Sequence, residues 1–164
     1  MSIRVLIADD HPVVRDGFRM TMERSGKDIV IVGEASDGME VLKAAKATPA
    51  DVYILDVTMP NLNGIETARE LLKMSPSSKV IMLSLHDTKV MVEEALKAGA
   101  RGYLTKEMAT RNVVDAVQEV HAGRFYLSPS IAHYIVEAGR KGGKGPRKPG
   151  LAKALLTGQE RKVL

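Results

Sequence analysis

The sequence predicts an α/β sandwich, a doubly wound five-stranded parallel sheet with helices on both faces, and three observations carry that prediction. Five short runs rich in Val, Ile, Leu and Tyr recur along the chain, at 3–8, 29–35, 51–56, 79–84 and 102–105. Their apolarity is nearly continuous rather than alternating, as expected of strands covered on both faces. Between them the apolar spacing lengthens to that of helices, so strand and helix alternate five times in about 120 residues, the pattern of parallel strands joined by right-handed crossovers.

Each element has its own signals. After IRVLIA (3–8), Val14, Phe18 and Met22 fall at i, i+4 and i+8 on one helical face. IVIVGEA (29–35) precedes a segment in which Leu42 and Ala45 share a face, and DVYILD (51–56) precedes one carrying Ile65, Ala68 and Leu72. KVIMLS (79–84) leads to Val92 and Leu96, and GYLT (102–105) to Val113, Val117 and Val120. Asp37, Asn63, Asp87 and Thr110 are the expected N-caps, and Gly26, Gly99 and Gly123 the expected stops. No internal repeat suggests a solenoid.

The character changes after Gly123. Ser128 and Pro129 open a short amphipathic helix expected over about 129–138, with Ile131, Ile135 and Val136 on one side. GRKGGKGPRKPG (139–150) is glycine, proline and positive charge, the composition of a flexible linker. LLTGQERKVL then restarts helical grammar, with Thr157 and Glu160 in capping-box spacing. It stops after about two turns, too short for a stable isolated helix. The expected organisation is therefore a domain over 1–123, a linker over 124–150, and over 151–164 the severed start of a second domain.

Composition narrows the chemistry. Hydrophobic residues at 45% suffice for a core, and the absence of Cys excludes disulfides, thiolate zinc sites and Cys nucleophiles. The first residues run directly into a strand, no leader-like pattern precedes it, and no apolar run approaches the roughly 18 residues of a membrane span, so a cytoplasmic protein without membrane contact is expected. The net charge of +4 is uneven: residues 139–164 hold eight Lys or Arg against one Glu, so the preceding 138 residues carry −3. The basic character belongs to the tail, where it serves linker solubility before nonspecific contact with nucleic acid.

In an open parallel sheet, functional groups collect beyond the carboxyl ends of the strands. Asp9 and Asp10 end the first run, Asp56 the third, Ser84 the fourth, and Lys106 follows the fifth. If strands one, three, four and five are neighbours, all five groups converge. Three adjacent carboxylates repel one another unless a cation sits among them, and an oxygen-only donor set suits Mg2+ or Mn2+. The ammonium and the hydroxyl could hold the oxygens of a transferring phosphoryl group while a carboxylate attacks phosphorus. Taken singly, an Asp pair before a helix is an ordinary cap and an Asp at a strand end an ordinary turn residue; the ordered set argues against coincidence.

IADDHPVVRDGF, LDVTMPNLNGIE, VIMLSLHD and AGARGYLTKE together resemble the receiver domain of two-component response regulators, over residues 3 to about 123. The variant is similar to the NarL/FixJ (LuxR-type) transcription regulators, and LTGQERKVL resembles the opening of their helix-turn-helix DNA-binding domain. The resemblance implies a flavodoxin-like receiver fold and a switch that is not an enzyme. Asp56 would accept a phosphoryl group from a sensor histidine kinase, or slowly from a small donor. Asp10 would bind Mg2+ directly and Asp9 largely through water, with Asp56 and the backbone carbonyl of Thr58 completing the set. Lys106 would pair with the phosphoryl oxygens, Ser84 would move to bond them, and Tyr103 would follow inward as an aromatic switch. Met59, Pro60 and Gly64 would shape the loop over the site. A homodimer, above all of the phosphorylated form, fits this role, and DNA would be read only through a domain mostly absent here.

Glu107 stands where many such domains have proline, leaving the Lys106–Glu107 bond open to either isomer. His86 is expected to tune the lifetime of the phosphoaspartate, His11 to be a capping or loop residue, and His121 and His133 to be solvated. The nine Met read as core filler, and Gly33, Gly38, Gly64 and Gly102 form neither GxGxxG nor a P-loop. The rival from another class is a phosphohydrolase of the haloacid dehalogenase type, which resembles D-x-D-x-T after the first strand; here the pair is adjacent and the nucleophile lies on the third run. A pseudo-receiver acting only as an interaction module is disfavoured by the complete residue set.

Overall fold

A computed structural model describes residues 2–127 and 131–132. His133, most of the expected helix, the basic segment and residues 151–164 lie outside them. In chain order the elements are β1 (Ile3–Ala8), α1 (Pro12–Glu23), β2 (Ile29–Ala35), α2 (Gly38–Ala47), β3 (Val52–Asp56), α3 (Gly64–Met74), β4 (Lys79–Ser84), α4 (Lys89–Lys97), β5 (Gly102–Thr105), α5 (Lys106–His121) and β6 (Tyr126–Leu127).

The strands form one parallel sheet in the order β2-β1-β3-β4-β5-β6. Alternate residues of the central strands feed two cores, because side chains along a strand point to opposite faces. Leu6, Tyr53, Leu55 and Met82 pack with Val41, Leu71 and Val92 of α2, α3 and α4. Val5, Ile54, Ile81 and Leu83 pack with Phe18, Met22, Val113 and Val117 of α1 and α5. Both faces are thus covered, which is why the strand runs are apolar throughout.

The sheet has six strands where five were expected. Tyr126 and Leu127 pair with Gly102 and Tyr103, extending the sheet past Gly123. Leu127, Ile131 and Ala132 are buried in the core beneath α2–α4. A two-residue strand has too little length to show periodicity.

The helix starts follow cap chemistry with two corrections. Asp37 and Asn63 accept from the Glu40 and Glu66 backbone N–H groups at 2.9 Å. Thr88, not Asp87, caps α4, its hydroxyl accepting from Met91 N at 3.3 Å. Thr110 lies inside α5, which begins at Lys106 straight after extended Thr105. The Lys106–Glu107 bond is trans, there being no cis peptide bond among the described residues, and Glu107 sits in the first turn, where the helix dipole favours a negative charge. Gly99 ends α4 at φ +105°, a conformation that an L side chain rarely adopts. Asn63→Ala should destabilise the protein by about 1 kcal/mol through loss of the α3 cap, read as a lower chemical-denaturation midpoint with an unchanged slope. An unshifted midpoint would show that water replaces the cap without cost.

Candidate acceptor site at the strand ends

The chain reverses its direction of sheet growth at β1: β2 is added on one side of it and β3 on the other. The crevice beyond such a switch point is where open α/β sheets place their sites. Register fixes what gathers there. Ala8 pairs with Leu55, so Asp9 and Asp56 leave neighbouring strand ends together. Asp56 pairs with Leu83, and Ser84 with Thr105, the residue before Lys106.

Four of the expected residues meet. Lys106 Nζ donates to Asp56 Oδ2 at 2.8 Å and lies 3.0 Å from Asp9 Oδ2. Asp9, Asp10 and Asp56 each place a carboxylate oxygen within one cluster, its ligand atoms all within 4.8 Å of one another. Asp9 and Asp56 are buried, while Asp10 is exposed. Asp9 Oδ2 is completely buried, and the Lys106 ammonium that it shares with Asp56 is its one neighbouring charge of opposite sign among the described residues. Three carboxylates gathered around a single ammonium leave negative charge in excess, and their oxygens fit a hard dication.

The electrostatics are uneven. Burial pushes the Asp56 carboxyl above the usual range and Asp9 adds repulsion, while Lys106 and the Thr58 N–H pull the other way without prevailing. For Asp9, burial is also the largest influence, but the His11 N–H, Lys106 and the His11 ring outweigh it and hold the carboxyl low. Burial acts to lower the Lys106 ammonium, and the two aspartates more than compensate, so it is raised and charged. The group bearing the least stable negative charge is therefore Asp56.

The loop after β3 is held tightly. Thr58 N donates to Asp56 Oδ1 at 3.1 Å, and Gly64 N to Val57 O at 2.9 Å. A Cβ on Gly64 would stand 2.3 Å from the Asp56 carbonyl oxygen and 2.9 Å from Val57 Cα, so only glycine allows α3 to start this close to Asp56. Asn61 takes a left-handed φ of +68° and donates from Nδ2 to Asp37 Oδ2 at 2.8 Å, tying the loop to the start of α2. Met59 is buried and Pro60 exposed. On the other side, Arg15 donates to the Asp9 carbonyl at 2.5 Å and to Glu34 at 3.1 Å, bracing the end of β1.

Ser84 and Tyr103 are both tied to the loop that follows β4. Ser84 Oγ accepts from His86 N at 3.1 Å, along its own loop. The Tyr103 ring is already fully buried, and its hydroxyl donates to the His86 carbonyl at 2.7 Å. Burial raises the phenol, with Asp87 adding to this and the Ser84 hydroxyl opposing it. The Tyr103 ring thus already occupies a buried position in this structure. His86 is exposed, as is His121 in the last turn of α5.

His11 stands at the helix-capping position expected of it, but its ring does something else. It occupies the N-cap position of α1 but makes no side-chain cap, and its ring instead joins the acidic cluster. The sequence signal was its place directly after two acids, which alone is equally that of a loop residue.

Comparison with known proteins agrees with this geometry. Residues 5–118 match the model of the response regulator receiver domain. The chain belongs to the response regulator receiver family. It is 40% identical over 135 residues to the transcriptional regulatory protein YxjL of Bacillus subtilis, covering 82% of this chain and 62% of that protein. It is 38% identical over 133 residues to the response regulator UvrY of Escherichia coli K12, covering 81% and 61%. Among solved structures, a two-component response regulator of the LuxR family from Aurantimonas matches with a TM-score of 0.78 and 33% identity, over 84% of this chain and 97% of that one. This receiver chain spans about three-fifths of the length of the curated relatives it matches. None of its described helices is long and apolar enough to cross a membrane.

Proposed function

We propose that this chain is a phosphorylation switch in which Asp56 accepts a phosphoryl group from a sensor histidine kinase and thereby controls a transcription regulator. The observation that supports this best is the contact of Lys106 with both Asp56 and Asp9 inside the three-carboxylate cluster. Asp10, Asp9, Asp56 and the Thr58 carbonyl would hold Mg2+ (or Mn2+), which when bound neutralises charge that builds on the phosphoryl oxygens.

In the step itself an Asp56 carboxylate oxygen forms a bond to phosphorus. The bond from phosphorus to the donor atom, an imidazole nitrogen or an acyl phosphate oxygen, breaks, and its electron pair leaves with the donor. Lys106 stays charged, by virtue of its two aspartate neighbours, and offers its protons to the phosphoryl oxygens. Incubation with acetyl phosphate and MgCl2 should add one phosphoryl group per chain by intact mass, and EDTA should abolish the addition. Labelling undiminished by EDTA would remove the metal from the scheme.

The output is a shift of a pre-existing equilibrium. The phosphoryl group adds roughly −1.5 to −2 charges, and a charge-assisted bond from Ser84 contributes about 1.5–3 kcal/mol, enough to change a population about tenfold to a hundredfold. Turning Ser84 toward it breaks the bond from His86 N, and the His86 carbonyl that anchors Tyr103 moves with that loop. The loop and α4 carry exposed Leu85 and Val90, apolar groups that a second copy or another partner could cover in one of the two states. Ser84→Ala should therefore accept phosphate at Asp56 yet show a reduced dimerisation response and smaller NMR shifts on α4, β5 and α5. A full wild-type response would take Ser84 out of the mechanism.

A further inference from the structure

The imidazole of His11 is placed as a ligand would be. Its Nδ1 lies 3.0 Å from Asp9 Oδ1 and 3.0 Å from Asp10 Oδ1, and the same four-residue cluster includes Asp56. The His11 N–H also donates to Asp9 Oδ1 at 2.8 Å, which fixes the backbone beneath the ring, and Pro12 begins the helix directly after it. The ring is 64% exposed, and its contacts with the two carboxylates hold it in this pose. Opposite it, the other oxygen of the completely buried Asp9 has, among the described residues, only the Lys106 ammonium, 3.0 Å away and shared with Asp56, to offset its charge.

A nitrogen facing two carboxylate oxygens must hold either a proton or a cation between them. Ligands of a single dication, bound at about 2.0–2.2 Å, stand roughly 3–4 Å from one another, close to the spacing found here. Mg2+ has little use for an imidazole, whereas Zn2+, Co2+ and Ni2+ take nitrogen and carboxylate oxygen together and bind such sites more tightly.

We infer that His11 is a metal ligand, and that with Asp9, Asp10 and Asp56 it gives the acceptor site a nitrogen–oxygen donor set for a transition-metal dication such as Zn2+ or Co2+. The inference rests on the reading of the acidic cluster as a cation site and adds to it a second class of ion. A transition metal held there occupies the ground on which phosphoryl transfer depends, so the switch senses the identity of its cation.

Calorimetric titration of the full chain with ZnCl2, CoCl2 and, separately, MgCl2 tests this on wild type, His11→Gln and Asp10→Asn, with Co2+ visible absorption as a second readout. Wild type should bind one Zn2+ or Co2+ at this site. His11→Gln should weaken Zn2+ and Co2+ about tenfold or more, alter the Co2+ bands, and leave Mg2+ affinity within about twofold. Asp10→Asn should weaken all three ions. Equal weakening of Mg2+ and Zn2+ in His11→Gln would mean that His11 only shapes the loop, and unchanged Zn2+ binding there would mean that it ligates nothing; either overturns the inference while leaving the cation site standing. If wild type takes up no dication, or Asp10→Asn changes no affinity, the cation site falls and the inference with it.

Discussion

Asp56→Asn should accept no phosphoryl group from acetyl phosphate, and in the absence of a divalent cation it should be more stable than wild type. The first effect follows because an amide lacks the nucleophilic oxygen. The second follows from the sign of the electrostatics. Burial raises the Asp56 carboxyl in the folded state, so its favourable contribution is complete below the unfolded value of 3.8 and is lost as pH rises through the folded value. At neutral pH the ionised group works against folding. Asparagine removes the repulsion from Asp9 and leaves Lys106 to pair with Asp9 alone. We expect a gain of about 1 kcal/mol, or roughly 2–4 °C in melting temperature for a chain of this size. Saturating Mg2+ should reverse the order, since a ligand at a hundredfold its Kd stabilises wild type by about 2.7 kcal/mol. A melting temperature for Asp56→Asn below that of metal-free wild type would mean that the Lys106–Asp56 pair outweighs the cost of burying the charge.

Gly64→Ala should be among the most damaging single-atom additions in the molecule. The new methyl would meet the Asp56 carbonyl oxygen at 2.3 Å and its carbon at 2.9 Å, and these are backbone atoms that cannot rotate away. Either α3 retreats, breaking the Gly64 N–H bond to Val57 O, or the end of β3 yields and carries Asp56 with it. The expected loss is about 3 kcal/mol, a fall of roughly 6–12 °C, with slower phosphorylation of the remaining folded protein. Gly17→Ala is the control. It lies inside α1 with nothing within 4 Å of the added atom, and replacing a helical glycine there should stabilise by about 0.5–1 kcal/mol. A Gly64→Ala protein as stable as wild type would show that the loop has room the geometry denies.

The sequence carried the architecture because each buried strand left an uninterrupted apolar run. The ends of β1, β2, β4 and β5 match those runs, and β3 starts one residue later than its own. The site was legible for the same reason: strand ends fix Asp9, Asp56 and Lys106, and parallel register brings them together. What was not legible lacked length or depended on direction. β6 is two residues long. The choice of Thr88 over Asp87 turns on which residue takes extended φ and ψ before α4, and Thr110 reads as a cap because the first turn of α5 before it has no apolar run. The rotamer of Tyr103 and the aim of His11 are set by neighbours remote in sequence or by loop geometry, and residue identity alone does not encode them.

The most direct test of the account is to find the phosphorylated atom. The full chain is labelled with acetyl phosphate and MgCl2, the acyl phosphate is reduced with borohydride to mark its carbon, and peptides are sequenced by tandem mass spectrometry. The account predicts a single mark on Asp56, and loss of the label from unreduced protein on treatment with hydroxylamine. A mark on Asp9 or Asp10, or a hydroxylamine-resistant phosphate on Ser84 or Thr58, would contradict it.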